Sequence, residues 1–293
     1  MALPVPAPEP PREIEAELPP RRRWRWLRYR NLVWGGAVFV ALLVVTFGAP
    51  LFTHANPLAV HPSATLLPPS SKHLFGTDEL GRDLFSRVLY GGRYTIIASL
   101  AAMALGVTTG SLIGLIAGIA GGWVDMVLMR LMDLVLAFPG ILSALAITTI
   151  LGPSFLNLIL AIGFSSAPGY ARIVEAGTLQ VKQLVYVEAA ASAGSTTWHV
   201  IRRHVLPNVF SLIVVAATTG LGITVLSVAA LGFLGLGVQP PTPEWGSILN
   251  EGRQNIQLAW WISLFPGIFI TLYVIAVSIM GDGLRDLLDP MNA

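Results

Sequence analysis

Five stretches of this chain contain no aspartate, glutamate, lysine or arginine, and their lengths constrain the fold more than any motif does. They run between Arg30 and Lys72, Arg93 and Asp125, Asp133 and Arg172, Arg203 and Glu244, and Arg253 and Asp282. A charge at the centre of a bilayer costs about 2.5–3.5 kcal/mol on insertion scales, so charge-free stretches of this length are where a chain can cross. Each crossing helix needs roughly 20 apolar residues. The third gap has room for two, with Gly152, Pro153 and Ser154 as the turn between them. Six spans are therefore predicted, near 32–52, 94–118, 131–151, 155–172, 208–231 and 260–281. Composition agrees: 54% of residues are hydrophobic and 12% charged, against about a quarter charged in soluble domains, and the mean hydropathy is +0.69. The predicted fold class is an all-α membrane protein.

Orientation follows from the basic residues beside the spans. The stretch RRRWRWLRYR (21–30) carries six arginines just before the first helix and predicts a cytoplasmic N-terminus. Six crossings then return the C-terminus to the cytoplasm and place 187–208 there too, where Arg202 and Arg203 fit the same rule. The external segment 53–93 is a partial exception, because it holds Lys72, Arg82, Arg87 and Arg93, offset by Asp78, Glu79 and Asp83. A cleaved signal peptide is the alternative for the first helix, but its apolar run is long and no convincing small-x-small site follows it. Residues 1–20, rich in proline and glutamate, read as a disordered tail. Net charge is +2, and much of the excess sits in the arginine cluster, which points to anionic lipid headgroups rather than to nucleic acid. The absence of cysteine excludes disulfides and thiolate metal sites.

Within the second span, glycines recur at 106, 110, 114, 118 and 122, each four residues after the last, and form a bare seam that a neighbouring helix can approach. Packing within the chain and contact with another subunit both use such seams. Outside the membrane, GTDELGRDLFSRVLYGGR (76–93) has helical period. Leu80, Leu84, Phe85, Val88 and Leu89 share a face, Asp78–Arg82 and Asp83–Arg87 form acid-first i,i+4 pairs, Thr77 is the expected N-cap and Gly91 the expected stop. It reads as a helix flat on the outer leaflet, either a plain anchor or a ledge for an external partner. Asp133 has Arg130 three residues before it, which suggests a local ion pair. The stretch LGFLGLGVQPPTPEWGSIL (231–249) is too broken by glycine and proline for lipid-exposed helix and should fold back over the outer mouth. Trp245, Trp260 and Trp261 fit an interfacial belt.

One polar island differs from an ordinary loop: VEAAASAGSTTWHVIRRHVLPN (187–208). Residues 186–193 favour helix, Gly194 can end it, and Ser195, Thr196 or Thr197 can cap a second helix running to about Leu206, with Pro207 at the entry to the fifth span. Two short helices with Ala189, Ala190, Ala191, Ala193 and Gly194 nearly bare make an elbow that can enter a groove on another protein. Trp198, Ile201 and Val205 give it an apolar side, and Arg202, Arg203 and His204 a polar one.

These residues carry a resemblance. Glu188, Ala189 and Ala190, then Gly194, then Leu206 and Pro207 resemble the EAA loop of permease subunits from bacterial ABC importers. The stretches 76–93, MRLMDLVLAFP (129–139), 231–249 and GDGLRDLLDP (281–290) together resemble the C-type permease subunit of dipeptide, oligopeptide and nickel importers, and the likeness covers roughly residues 30–290. It implies the type I, MetI-like bundle of six transmembrane helices: a tail over 1–31, a first helix with its external segment over 32–93, and a five-helix core over 94–293 that includes the EAA loop at 186–207. It also implies partners, namely a related B-type permease subunit, two ABC ATPase subunits and an extracytoplasmic solute-binding protein. The chain would lie in the bacterial cytoplasmic membrane, and its EAA loop would seat in a groove of an ATPase and couple nucleotide-driven closure to the helices. By position, Glu188, Ala189, Ala190, Gly194, Leu206 and Pro207 would carry that coupling, with Arg202 and Arg203 as ionic partners; either arginine could equally meet the anionic inner leaflet. The implied substrate is a short peptide, with nickel chelates or other small solutes, or an ATP-independent carrier, as alternatives.

The residues themselves set bounds on this. A P-loop needs Gly-Lys-Ser or Gly-Lys-Thr, and the only lysines, Lys72 and Lys182, follow Ser71 and Val181, so no Walker site lies in this chain. No cofactor is expected on it, and ATP with Mg would bind the partner ATPases. Five histidines at 54, 61, 73, 199 and 204 form no His-Glu-x-x-His array, and His199 and His204, five apart, match a shared helical face poorly. No catalytic, metal or substrate residue is assigned.

Overall fold

The structure, a computed structural model, describes residues 25–288. The expected tail and the arginines at 21–23 lie outside the described residues. Among those described the chain is helical, and its nearest approach to a strand is one antiparallel bridge between Thr77 and Asp83. Helix α1 (Arg25–Phe47) is followed by the short α2 (Ala49–Phe52) and an irregular segment to Asp83. Then come α3 (Leu84–Ala120), α4 (Gly122–Leu136), α5 (Gly140–Leu151), α6 (Phe155–Lys182), α7 (Val185–Ser192), α8 (Thr197–Val200), α9 (Leu206–Phe233), α10 (Trp245–Gly252) and α11 (Trp261–Leu288).

Four helical runs are long and apolar enough to cross a membrane: Arg30–Phe47, Leu84–Ala120, Thr197–Phe233 and Trp261–Leu287. A fifth exists if α4 and α5, bent by 84° to one another, count as one. The expected third span is thus broken rather than straight. Pro139 has no N–H for the ladder and disfavours helical backbone at Phe138, so α4 ends and α5 restarts at Gly140. Helix α6 has the length for a crossing, 28 residues, but holds Arg172, Glu175 and Lys182 toward its C-terminal end.

The tightest packing joins α3 to α6 along the glycine seam. A Cβ at Gly106, Gly110 or Gly114 would collide with Ser166 Oγ, the Ala167 carbonyl and the Ala171 carbonyl, and one at Gly118 would lie 2.7 Å from Thr178 Cβ. The seam serves packing within the chain. Gly122 leaves it, with nothing within 4 Å. A similar close approach joins α1 to α11, where Gly35 meets Ala276 and Met280, and Gly283 meets Leu32. Lipid tails are as apolar as leucine, so association in a bilayer depends on such contact rather than on exclusion of water. Threonines inside the apolar helices return their hydroxyls to the preceding turn, as Thr148 does to the Ala144 carbonyl at 2.7 Å and Thr178 to the Val174 carbonyl at 2.7 Å.

At one end of α9 a polar cap closes the bundle, and here the structure departs from the sequence expectation. Residues 77–83 form a turn, not helix. Asp78 accepts from the Leu80 and Arg82 amides, both at 2.9 Å, and from Arg82 Nε at 2.6 Å. Asp83, not Thr77, is the N-cap, accepting from the Ser86 amide at 2.9 Å, and α3 passes through Gly91 without stopping. The Asp83–Arg87 pair does not form, because Arg87 is fully buried and donates to Glu251, 164 residues away, at 2.8 and 2.9 Å. Arg82 reaches the same carboxylate at 2.9 Å. Burial tends to raise the Glu251 pKa, and Arg87 followed by Arg82 opposes that rise.

The 234–260 segment folds back onto this cap as expected. Glu244, fully buried, caps α10 by accepting from the Gly246 and Ser247 amides at 2.9 Å each, and from Thr95 of α3 at 2.7 Å. Trp245 and Trp261 are not belt residues: both are buried and donate to the Val88 and Thr77 carbonyls at 2.8 and 3.1 Å. Only Trp260 of the three is exposed.

The seam makes a prediction. Gly110→Ala should destabilise the folded chain by about 1–3 kcal/mol through overpacking, seen as a lower Tm in detergent. Gly36→Ala, at a helical position with nothing within 4 Å, should leave Tm unchanged or raise it.

Candidate functional site

The elbow lies between the two helices that flank it, α6 and α9, at the opposite end of α9 from the cap. Its first arm, α7, ends in a Schellman arrangement: the Ser195 amide donates to the Ala190 carbonyl at 3.2 Å, the Ala193 amide to Ala189 at 2.9 Å, and Gly194 has φ +87. That left-handed backbone is why a glycine stands there, since a Cβ would meet nothing within 4 Å and space is not the reason. Thr196 then caps the second arm, its Oγ1 accepting from the His199 amide at 3.3 Å.

That second arm does not stop at Pro207. Helix α8 runs through a single π turn, Ile201–Val205, into α9, so helix is continuous from Thr197 to Phe233. Pro207 lies inside this continuous helix, and the π turn just before it, closed by the Leu206 amide on the Ile201 carbonyl, accommodates the ring and its missing N–H. The π turn also revises the reading of the two histidines. One turn of wider helix brings positions five apart onto one face, and the His199 and His204 rings lie 6.3 Å apart, with Tyr186 stacked edgewise on His204 at 5.6 Å. Among the described residues no group of three or more His, Asp or Glu side chains is placed to hold a metal ion.

Glu188, Ala189, Gly194, Arg202, Arg203 and Pro207 are exposed, while Ala190 and Leu206 are partly covered. Neither arginine forms an ion pair among the described residues. The elbow's inner side is anchored: Val187 is buried, and Val205 packs with Val174 and Val209. Three further anchors carry no local sequence signal. Lys182 donates to the Gly118 and Ile119 carbonyls at 3.0 and 3.1 Å, clamping the end of α6 to the end of α3. Asn208 donates to Tyr186 Oη at 2.9 Å, bracing one arm against the other. Asp133 pairs with Arg172 of α6, not with Arg130; Arg172 Nε donates to it at 3.1 Å. This bond ties the broken span to α6 where each partner is about four-tenths exposed.

Apolar helices that can cross a membrane, a folded cap at one end and an exposed, anchored elbow at the other define a class: polytopic membrane proteins with folded structure at both ends of the bundle. The particular family is shown by comparison. Residues 110–292 match the model of the binding-protein-dependent transport system inner membrane component, and the chain belongs to that family. It is 41% identical over 285 residues to the dipeptide transport system permease protein DppC of Alkalihalophilus pseudofirmus, covering 97% of this chain and 94% of the relative. It is 43% identical over 253 residues to the probable D,D-dipeptide transport system permease protein DdpC of Escherichia coli K12, covering 86% and 85%. It is 40% identical over 281 residues to the glutathione transport system permease protein GsiD of Pectobacterium atrosepticum, covering 95% and 93%. The fold matches a chain of the MetNI methionine ABC transporter in an inward-facing conformation with a TM-score of 0.58 at 18% identity, over 69% of this chain and 96% of that one. The protein is thus a multi-pass permease subunit of the MetI-like fold.

The elbow geometry predicts that Gly194→Val, which places a β-branched residue in left-handed backbone at a cost of roughly 1–2 kcal/mol or more, will increase protease cleavage within 185–200. Gly194→Asn should do so much less. Limited proteolysis with mass mapping of the fragments reads both.

Proposed function

We propose that this chain forms half of the membrane pathway of an ATP-driven, binding-protein-dependent importer of short peptides. The observation that carries the reading is the set of relatives at 40–43% identity along most of the chain, whose names specify dipeptide, D,D-dipeptide and glutathione transport, all substrates with an amide backbone. The other half is a B-type permease, two ATPase subunits bind ATP and Mg, and a solute-binding protein delivers peptide to the polar cap. The N- and C-termini and the elbow face the cytoplasm, and the cap faces outward across the bacterial inner membrane.

In this reading Glu188, Ala189, Ala190 and Gly194 seat in a groove of an ATPase, with Arg202 and Arg203 meeting acidic groups there. The mounting of the elbow supports it. Helix continues for 37 residues from Thr197 to Phe233, about 55 Å at 1.5 Å per residue, so a displacement at the elbow can reach the outer cap along one rigid rod. Helix α6 enters the elbow from the other side with its end held by Lys182. The ATPases need only draw the elbows of the two permeases together for the helices to open alternately inward and outward.

Affinity purification of the tagged chain should retain a sister permease and two ATPases, and peptide uptake into proteoliposomes should require ATP and binding protein. Ala190→Trp should leave assembly intact and lower uptake about tenfold or more, as expected when a coupling contact of about 1.4 kcal/mol is lost. Solitary, ATP-independent uptake would favour a secondary carrier.

A further inference from the structure

The π turn in the elbow does more than accommodate Pro207. In a plain α-helix, residues four apart share a face, and two histidines so spaced are a zinc grip. A helix with one wider turn carries residues five apart toward one another instead. His199 and His204 are five apart, and the wider turn, Ile201–Val205, takes up most of that interval. Their rings stand 6.3 Å apart, inclined at 69°. Single π turns inside longer helices occur frequently at functional sites.

Both histidines are held by their backbones and open at their rings. Thr196 Oγ1 accepts from the His199 amide at 3.3 Å, and Asn208 Nδ2 donates to the His204 carbonyl at 2.7 Å. Tyr186 packs edgewise on the His204 ring, and the same Asn208 donates to its hydroxyl at 2.9 Å. No ring nitrogen of the pair has a hydrogen-bond partner among the described residues. His199 is exposed and His204 half-buried, so an ion can enter from solvent. A zinc ion about 2.0–2.1 Å from one nitrogen of each ring holds the two ring centres about 5–6 Å apart. Rotation of the exposed His199 side chain closes the remaining difference.

We propose that His199 and His204 together bind a divalent late transition metal ion on the elbow. Imidazole suits zinc, copper and nickel, whereas Mg²⁺ takes oxygen ligands. Among the described residues no third His, Asp or Glu completes the set, so water fills the remaining positions. Arg202 and Arg203, exposed on the same arm, repel a cation. Both features make the site weaker than a structural zinc with four protein ligands, and the ion exchanges with solution. His199 belongs to α8 and His204 to the π turn that leads into α9. A bound ion therefore ties the second arm of the elbow to the start of the long helix. The site requires nothing of the transport reading.

Calorimetric titration of the full chain in detergent, with any affinity tag removed, reads the site. Zn²⁺ should bind, Mg²⁺ should not compete, and His199→Gln and His204→Gln should each weaken Zn²⁺ binding about tenfold or more. His61→Gln, outside the elbow, should leave it unchanged. Because His199 is exposed, its replacement keeps the test decisive even where His204→Gln misfolds. Cu²⁺ bound at one equivalent should show hyperfine coupling to two imidazole nitrogens by electron paramagnetic resonance, falling to one in either variant. Zn²⁺ should also slow protease cleavage within 197–208 in the unsubstituted chain and not in the variants. No Zn²⁺ binding, an affinity indifferent to His199→Gln, or a Cu²⁺ spectrum with a single nitrogen in the unsubstituted chain would overturn the site. Cleavage indifferent to Zn²⁺ would overturn the tie between the arm and the long helix.

Discussion

The architecture depends on backbone-to-backbone approach between α3 and α6. Four glycines at i+4 spacing place the second long helix against carbonyls and small side chains of α6, with no side chain of its own between them. In lipid that contact has to come from packing, and the seam supplies it over about 18 Å, twelve residues from Gly106 to Gly118. The other long-range features follow from it. Lys182 can reach the last carbonyls of α3 only because the two helix ends are adjacent, and the elbow is mounted on that clamp. Asp133 meets Arg172 only because α6 is held close enough for the broken span to pack across it.

A second constraint operates outside the bundle. Asp78 and Arg82 of the irregular segment before α3, Arg87 of α3 and Glu251 of α10 bring together parts of the chain that are distant in sequence. Charges this buried are costly alone and acceptable when paired, so the network fixes one arrangement of the cap more than it adds net stability. Glu244 does the same between α10 and α3, satisfying two amides and the Thr95 hydroxyl with one carboxylate. The cap consequently rests on the ends of α3, α9 and α11 that lie away from the elbow.

The fold class was legible in the charge-free gaps, because exclusion of charge from hydrocarbon acts on the chain residue by residue. The elbow was legible too, since Gly194 and Thr196 are local signals for ending and starting a helix. What stayed hidden was set by partners distant in sequence. The i,i+4 pattern at Asp83 and Arg87 suggested a helix on the leaflet, and Glu251 overrode it from 164 residues away. Arg130 was the near neighbour of Asp133, yet Arg172 took it. The approach of the His199 and His204 rings was hidden because a 3.6-residue period has no place for a π turn.

That π turn fixes a rotational phase. Residues 201–205 insert a wider turn between the elbow and the long rod above it, so the azimuth of Arg202 and Arg203 about the helix axis is set independently of which side of α9 faces its neighbours. Four residues of ordinary α-helix sweep about 400° and five of the wider turn about as much, so the extra residue is taken up within 201–205 while α9 and the elbow each keep their facing.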